Sequence, residues 1–279
     1  MTQPSLFAPD PDQAPVKPVD PGAEQMRLLI TVKAAPNPSA TYGETVCVAA
    51  LRLDLGKEGW VRLYPINYRE LDQPNKFKKY DIITLDARPT RTDRRPESWR
   101  PLVATVTKQS HLPTWKRRLP YVREHIRGTM CGLLEKVRTR PPGQSLAAIR
   151  PREVTGFDIE PHPGWTPDEQ AKIETYVSQL DLFESAPRTA LQAPRFKAWY
   201  RYRCHEARCS GHRQGLLDWE LVALQRKLTS LDDREAMEAL RQRWLSEICA
   251  PSNDVVFYVG NQAKREHVFS VLGVFYPRR

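Results

Sequence analysis

MRLLITVKAA, ETVCVAALRLD, GWVRLYPI and YDIITLDARPT follow one another between residues 26 and 90. Each run is apolar and β-branched, and turn residues such as those of LGKEG separate it from the next. No long helical pattern intervenes. Strands at this spacing fit a small barrel or sandwich, so residues 26–110 are expected to form a β-rich module of OB-like or PUA-like barrel shape. Shape alone does not give function.

The pattern changes after residue 110. LPYVREHIRGTMCGLLEKVR places Leu119, Val122, Ile126, Met130, Leu133, Leu134 and Val137 at helical spacing,. In TPDEQAKIETYVSQLDLF, Thr166 is placed as N-cap, with Pro167 at the first helical position and Glu169 at the third, a capping box. A short strand fits near Val154–Ile159, and residues 111–189 read as a mainly helical connecting region. From residue 190 a C-terminal α/β module follows. FKAWYRYRC alternates an apolar face with a basic one that includes Arg201 and Arg203. DWELVALQRKL and DDREAMEALRQRWLSEICA read as helices, and DVVFYVGN and HVFSVLGVFYP as an antiparallel hairpin. The fold class expected is α+β.

Residues 1–25 repeat Pro and Asp with little to bury, which reads as a disordered tail. Hydrophobic residues make up 40% of the chain and charged residues 27%, ordinary proportions for a packed core. No apolar run is long enough to span a bilayer, and MTQPSLFAPDPDQAPVKPVDPG has neither the basic start nor the apolar stretch of a secretory signal. The expectation is a bacterial protein of the cytoplasm with no membrane partner.

RYRCHEARCSGHRQGLLDWE, residues 201–220, places two cysteines and two histidines within nine residues, although the chain has only five cysteines and six histidines. Cys204, Cys209 and His212 are spaced C-x4-C-x2-H directly after a strand. Thiolate and imidazole are the ligands zinc prefers, and a short loop can bring three of them to one ion. A structural zinc needs a fourth ligand, to come from Cys249, His205, Asp218 or a distant residue. Cys47, Cys131 and Cys249 read as small buried residues. Without metal, the same loop is a strand-to-helix connection with buried thiols, turned by Gly211. Asp218 and Glu220 could hold a divalent ion for phosphodiester cleavage, with His212 as an acid–base partner. Asp218 is also well placed to cap the following helix, with Glu220 in its first turn.

The net charge of +10 favours a polyanionic partner. Lys76, Lys78 and Lys79 lie in KFKKY. Arg88, Arg91, Arg94, Arg95 and Arg100 surround Trp99 in RPTRTDRRPESWR, where guanidinium groups suit phosphate and an aromatic ring suits a base. Asp93 and Glu97 would partly neutralise this loop. Trp60, Arg62 and Tyr64 alternate in GWVRLYPI and could stack on a single strand or a flipped base, unless the aromatics are core. The leading expectation is a nucleic-acid-binding protein, DNA before RNA, such as an accessory or recognition component of a DNA-processing or defence system. Two alternatives stand beside it: a metal-dependent nuclease using His212, Asp218 and Glu220, and a basic module that docks on an acidic protein partner within a larger complex.

Overall fold

A computed structural model describes residues 22–69, 71–139, 141–178 and 188–279. Most of the tail expected at residues 1–25 lies outside the described residues. The first module is a barrel. Its strands are β1 (Glu24–Lys33), β3 (Gly43–Arg52), β4 (Gly59–Ile66), β5 (Asp81–Pro89) and β6 (Ser98–His111), with the short β2 (Asn37–Ser39) added at the edge of β3. The ring closes because β1 pairs with both β3 and β5. In chain order the five barrel strands run first, second, third, fifth, fourth and back to first, and all pairs are antiparallel except β4 with β6. That is the Greek-key closure of an OB-type barrel.

β6 is a long barrel strand that the sequence pattern does not announce. Most of its outward positions face solvent; Trp99 and Val106 are buried in the barrel interior and Val103 packs partly buried against it, too sparse an apolar alternation to announce a strand. The interior is otherwise filled by Met26, Leu28, Ile30, Val48, Leu63, Phe77 and Ile83, among others.

The stretch read as a helical connection does not stand apart. α1 (Trp115–Val122) is followed by a 3-10 turn at Arg123–His125, and Gly128 in the left-handed region breaks the run before α2 (Met130–Thr139). β7 (Leu146–Ile149) then pairs with β11 (Val256–Gln262), which pairs with β12 (Arg265–Phe275). β8 (Glu153–Pro161) pairs with β9 (Phe196–Arg203), which pairs with β10 (His212–Gly215). Both three-stranded sheets therefore draw a strand from residues 111–189. The capping box of α3 (Pro167–Val177) is present as expected. α4 (Trp219–Lys227) and α5 (Asp233–Arg241), the latter running into a π-helical turn at Gln242–Glu247, complete the second module. No helix among the described residues is long and apolar enough to cross a membrane.

The two modules share a core. Leu29, Leu51, Trp60 and Ile82 on the outside of the barrel pack against Leu146, Ala148, Tyr258 and Phe275 of the second module. Such burial removes apolar surface that the barrel alone would leave in water.

Candidate metal centre and basic surface

α2, the end of β9 and the start of β10 meet at one point of the second module. Cys131 is the second residue of α2, Cys204 follows the last residue of β9, Cys209 lies in the connecting loop, and His212 opens β10. Gly211, with φ of +110°, gives the loop the backbone turn that returns His212 to the thiols, a conformation L side chains rarely adopt. One ligand atom from each of these four residues lies within 4.8 Å of all the others. His212 Nε2 is 3.3 Å from Cys209 Sγ and 3.5 Å from Cys131 Sγ. A tetrahedral zinc with three sulfur ligands and one nitrogen ligand would set each S···N edge at about 3.5 Å. The arrangement could hold a metal ion.

Its electrostatics agree with that role. Burial lowers the pKa of His212 and keeps the imidazole neutral, the form that coordinates,. For Cys209, burial acts upward, but hydrogen bonds from the backbone N–H groups of Cys204 and Gly211 outweigh it and lower the pKa. Cys131 is pushed up to about 12, by burial first and then by Cys204 and Cys209 beside it. Three thiols this close cannot all ionise unless a cation compensates them. Of the candidates for a fourth ligand, the residue that the fold brings to the other three is a distant one, Cys131. Cys249 instead donates to the carbonyl of Trp244, and Asp218 turns to a lysine. Cys131 was not legible as a ligand because a lone cysteine at an amphipathic helix start carries no spacing signal.

The structure separates the three residues of the nuclease alternative. His212 belongs to the thiol cluster. Asp218 is the N-cap of α4, accepting from the Glu220 amide at 2.8 Å. Lys79 Nζ lies 3.1 Å from Asp218 and 3.4 Å from Glu220, so an ammonium stands where a divalent ion would be needed. Burial disfavours the Lys79 charge, but the two carboxylates outweigh it and raise the pKa.

The basic residues divide into two sets. Arg62 and Trp60 are 3% and 9% exposed, covered by the second module and unavailable as a stacking face. Arg62 donates to the carbonyl (2.9 Å) and hydroxyl (3.1 Å) of Ser145, and Glu97 accepts from the Ser145 amide and hydroxyl. Trp99 is inside the barrel. Arg95 is held by Asp93 and donates to the Asn261 carbonyl at 2.7 Å. Arg201 pairs with Asp158 on β8, while Arg203 is exposed at the end of β9.

Arg88, Arg91, Arg94 and Arg100 form the other set. All are outward-facing or exposed, and none is ion-paired to a carboxylate among the described residues. The two acids of this loop, Asp93 and Glu97, are spent inward on Arg95 and Ser145. Arg88 stands directly opposite Arg100 in the β5–β6 register, a like-charge pair that costs stability in the isolated sheet. Arg100 donates to the hydroxyl of Tyr42 at 3.1 Å, and Tyr64, 42% exposed, meets Thr45 on the adjoining strand. Tyr42 was not singled out in the sequence, because loop position alone gives a tyrosine no partner. Lys76 and Lys78 lie on the β4–β5 connection, away from that set in the chain.

These observations define a two-module α+β protein with an OB-type barrel and a Cys3His cluster in the second module. The chain belongs to the family described as Domain of unknown function (DUF8757), whose model matches residues 125–279. A second family model, Domain of unknown function (DUF8758), matches residues 24–124. The border between them falls at the 3-10 turn between α1 and α2. No curated protein matches the chain.

Proposed function

We propose that this protein binds nucleic acid, DNA in preference to RNA, through the outer face of β5–β6 and its connecting loop, and that zinc in the Cys131–Cys204–Cys209–His212 cluster braces the second module. The observation that carries the reading is the opposed pair Arg88 and Arg100, beside Arg91 and Arg94, with both local acids turned inward. Four guanidinium groups without carboxylate partners among the described residues suit phosphates, which they can engage with paired hydrogen bonds. The connection between the last two strands of an OB-type barrel is one of the loops that barrels of this shape use for oligonucleotides. Tyr42 and Tyr64 beside the arginines offer rings for base stacking. The docked second module covers the adjoining β3–β4 face, so the strand would run over the loop and the β5–β6 side.

The test is affinity for a single-stranded and a duplex DNA, and for an RNA of the same sequence, measured against salt. Binding through several phosphates gives a steep logarithmic salt slope. Arg88→Ala with Arg100→Ala should weaken binding about tenfold or more and flatten the slope by about two. An unchanged slope would remove this surface from the interface. Flat salt dependence in the wild type would favour the acidic-protein partner instead. For the metal, mass spectrometry of native protein should find about one zinc per chain.

A further inference from the structure

A second feature lies at the junction of the modules, where Ala34 at the end of β1 bridges to Asp218 and the segment before α4 bridges to β12. A cavity of about 360 Å³ opens there. Lys33 lines it and is only 8% exposed. Its ammonium sits 3.5 Å above the ring of Tyr68 and 4.7 Å from that of Trp219, and among the described residues no carboxylate lies within ion-pair distance of it. An ammonium taken this far out of water needs an anion or an acceptor. Burial, the largest influence, brings its pKa down to about 8.

The rest of the wall carries cations and aromatic rings, with Glu220 as its one carboxylate. Lys78 and Arg118 line the cavity, and the Arg118 guanidinium carbon lies 3.9 Å from the Tyr80 ring centre and 4.6 Å from that of Trp115. Lys33, Lys78, Lys79 and Arg118 face three carboxylates, Asp81, Asp218 and Glu220, of which Asp81 is bound to His111 at 2.7 Å. The set keeps one net positive charge, which favours an anionic ligand over a neutral one. Trp115, Trp219 and Tyr276 supply flat apolar walls. Tyr80 is the only non-glycine residue among those described with positive φ, at 67°. Backbone strain of this kind concentrates at binding sites.

We propose that this cavity binds a nucleotide, its phosphate held by Lys33 and Lys78 and its base against the tryptophan and tyrosine rings. The site is separate from the β5–β6 surface and does not depend on it. The nucleotide is either free or the phosphorylated end of a strand.

Calorimetric titration of the full chain with a deoxynucleoside 5′-monophosphate, the matching nucleoside and inorganic phosphate tests this. The expected result is saturable binding of the monophosphate, with the nucleoside and phosphate each at least tenfold weaker. Lys33→Met should weaken it at least tenfold, and Lys78→Ala, at an exposed position where folding is not at stake, several-fold. No saturable binding by the wild type at millimolar nucleotide, or equal binding by wild type and Lys33→Met, would overturn the site. A short 5′-phosphorylated oligonucleotide added to the Arg88→Ala, Arg100→Ala variant separates the sources. Tighter binding than the mononucleotide assigns the cavity to a strand end, and equal or weaker binding assigns it to the free nucleotide; both uphold it. Loss of salt-dependent DNA binding in that variant with retained mononucleotide binding keeps the two sites distinct.

Discussion

Arg62 donates to Ser145 and Cys47 from a position closed to water, while Glu97 grips Ser145 from the other side. Removing the guanidinium leaves buried acceptors and a buried carboxylate uncompensated. Arg62→Ala should therefore destabilise the fold by about 2–4 kcal/mol, seen as a lowered thermal midpoint with DNA affinity per folded molecule unchanged. Lys33 is the opposite case. Its folded pKa lies near 8, below the ordinary lysine value of 10.5, so between those values the unfolded chain binds more protons than the folded one. The cost is fully present below pH 8 and is relieved as pH rises toward 10.5. Lys33→Met should thus raise stability at pH 7, by at most about 3 kcal/mol, and flatten the rise of stability between pH 8 and 10 in ligand-free unfolding curves. Neither role was visible in the sequence. GWVRLYPI shows that Trp60, Arg62 and Tyr64 share a strand face, but it does not show that another module closes over two of them and leaves the third exposed.

Among the elements, β1, β3, β4, β5, β8, β9, β11 and β12 were legible because each carries an apolar run or alternation between turn residues. β6 and β7 were not. β6 is mostly solvent-facing, and β7 is four residues buried on both faces, with no period to detect. The β5–β6 pair shows what such strands can carry. Arg88→Glu would place an acid opposite Arg100 and replace repulsion with attraction. This variant should be no less stable than the wild type and bind DNA at least tenfold less well, measured side by side by thermal unfolding and by titration. For α2 and the β9–β10 connection the tie is the thiol cluster. If the cluster holds zinc as proposed, Cys131→Ser should lose most of it, although Cys204, Cys209 and His212 remain, because a structural site needs its four ligands. Full zinc content in this variant would exclude Cys131 as a ligand. The spacing C-x4-C-x2-H exposed three of the four, and only the packing of α2 supplies the last.

At the scale of the molecule, the border between the two family matches runs through a continuous apolar core. Residues 24–124 expressed alone should fold into the barrel yet expose Leu29, Leu51, Trp60 and Ile82 together, a patch of the kind that drives association. Dye binding and light scattering of that fragment, compared with the full chain, would report it. A monomeric fragment that binds no hydrophobic dye would show that the modules are independent.

That shared core also has a consequence for biosynthesis. The barrel strands leave the ribosome well before Phe275, which helps to cover them. At about 5–20 residues per second, the intervening chain takes roughly ten to thirty seconds to appear. For that interval the nascent barrel carries a bare apolar flank, and during it the protein depends most on whatever shields emerging chains in the cell.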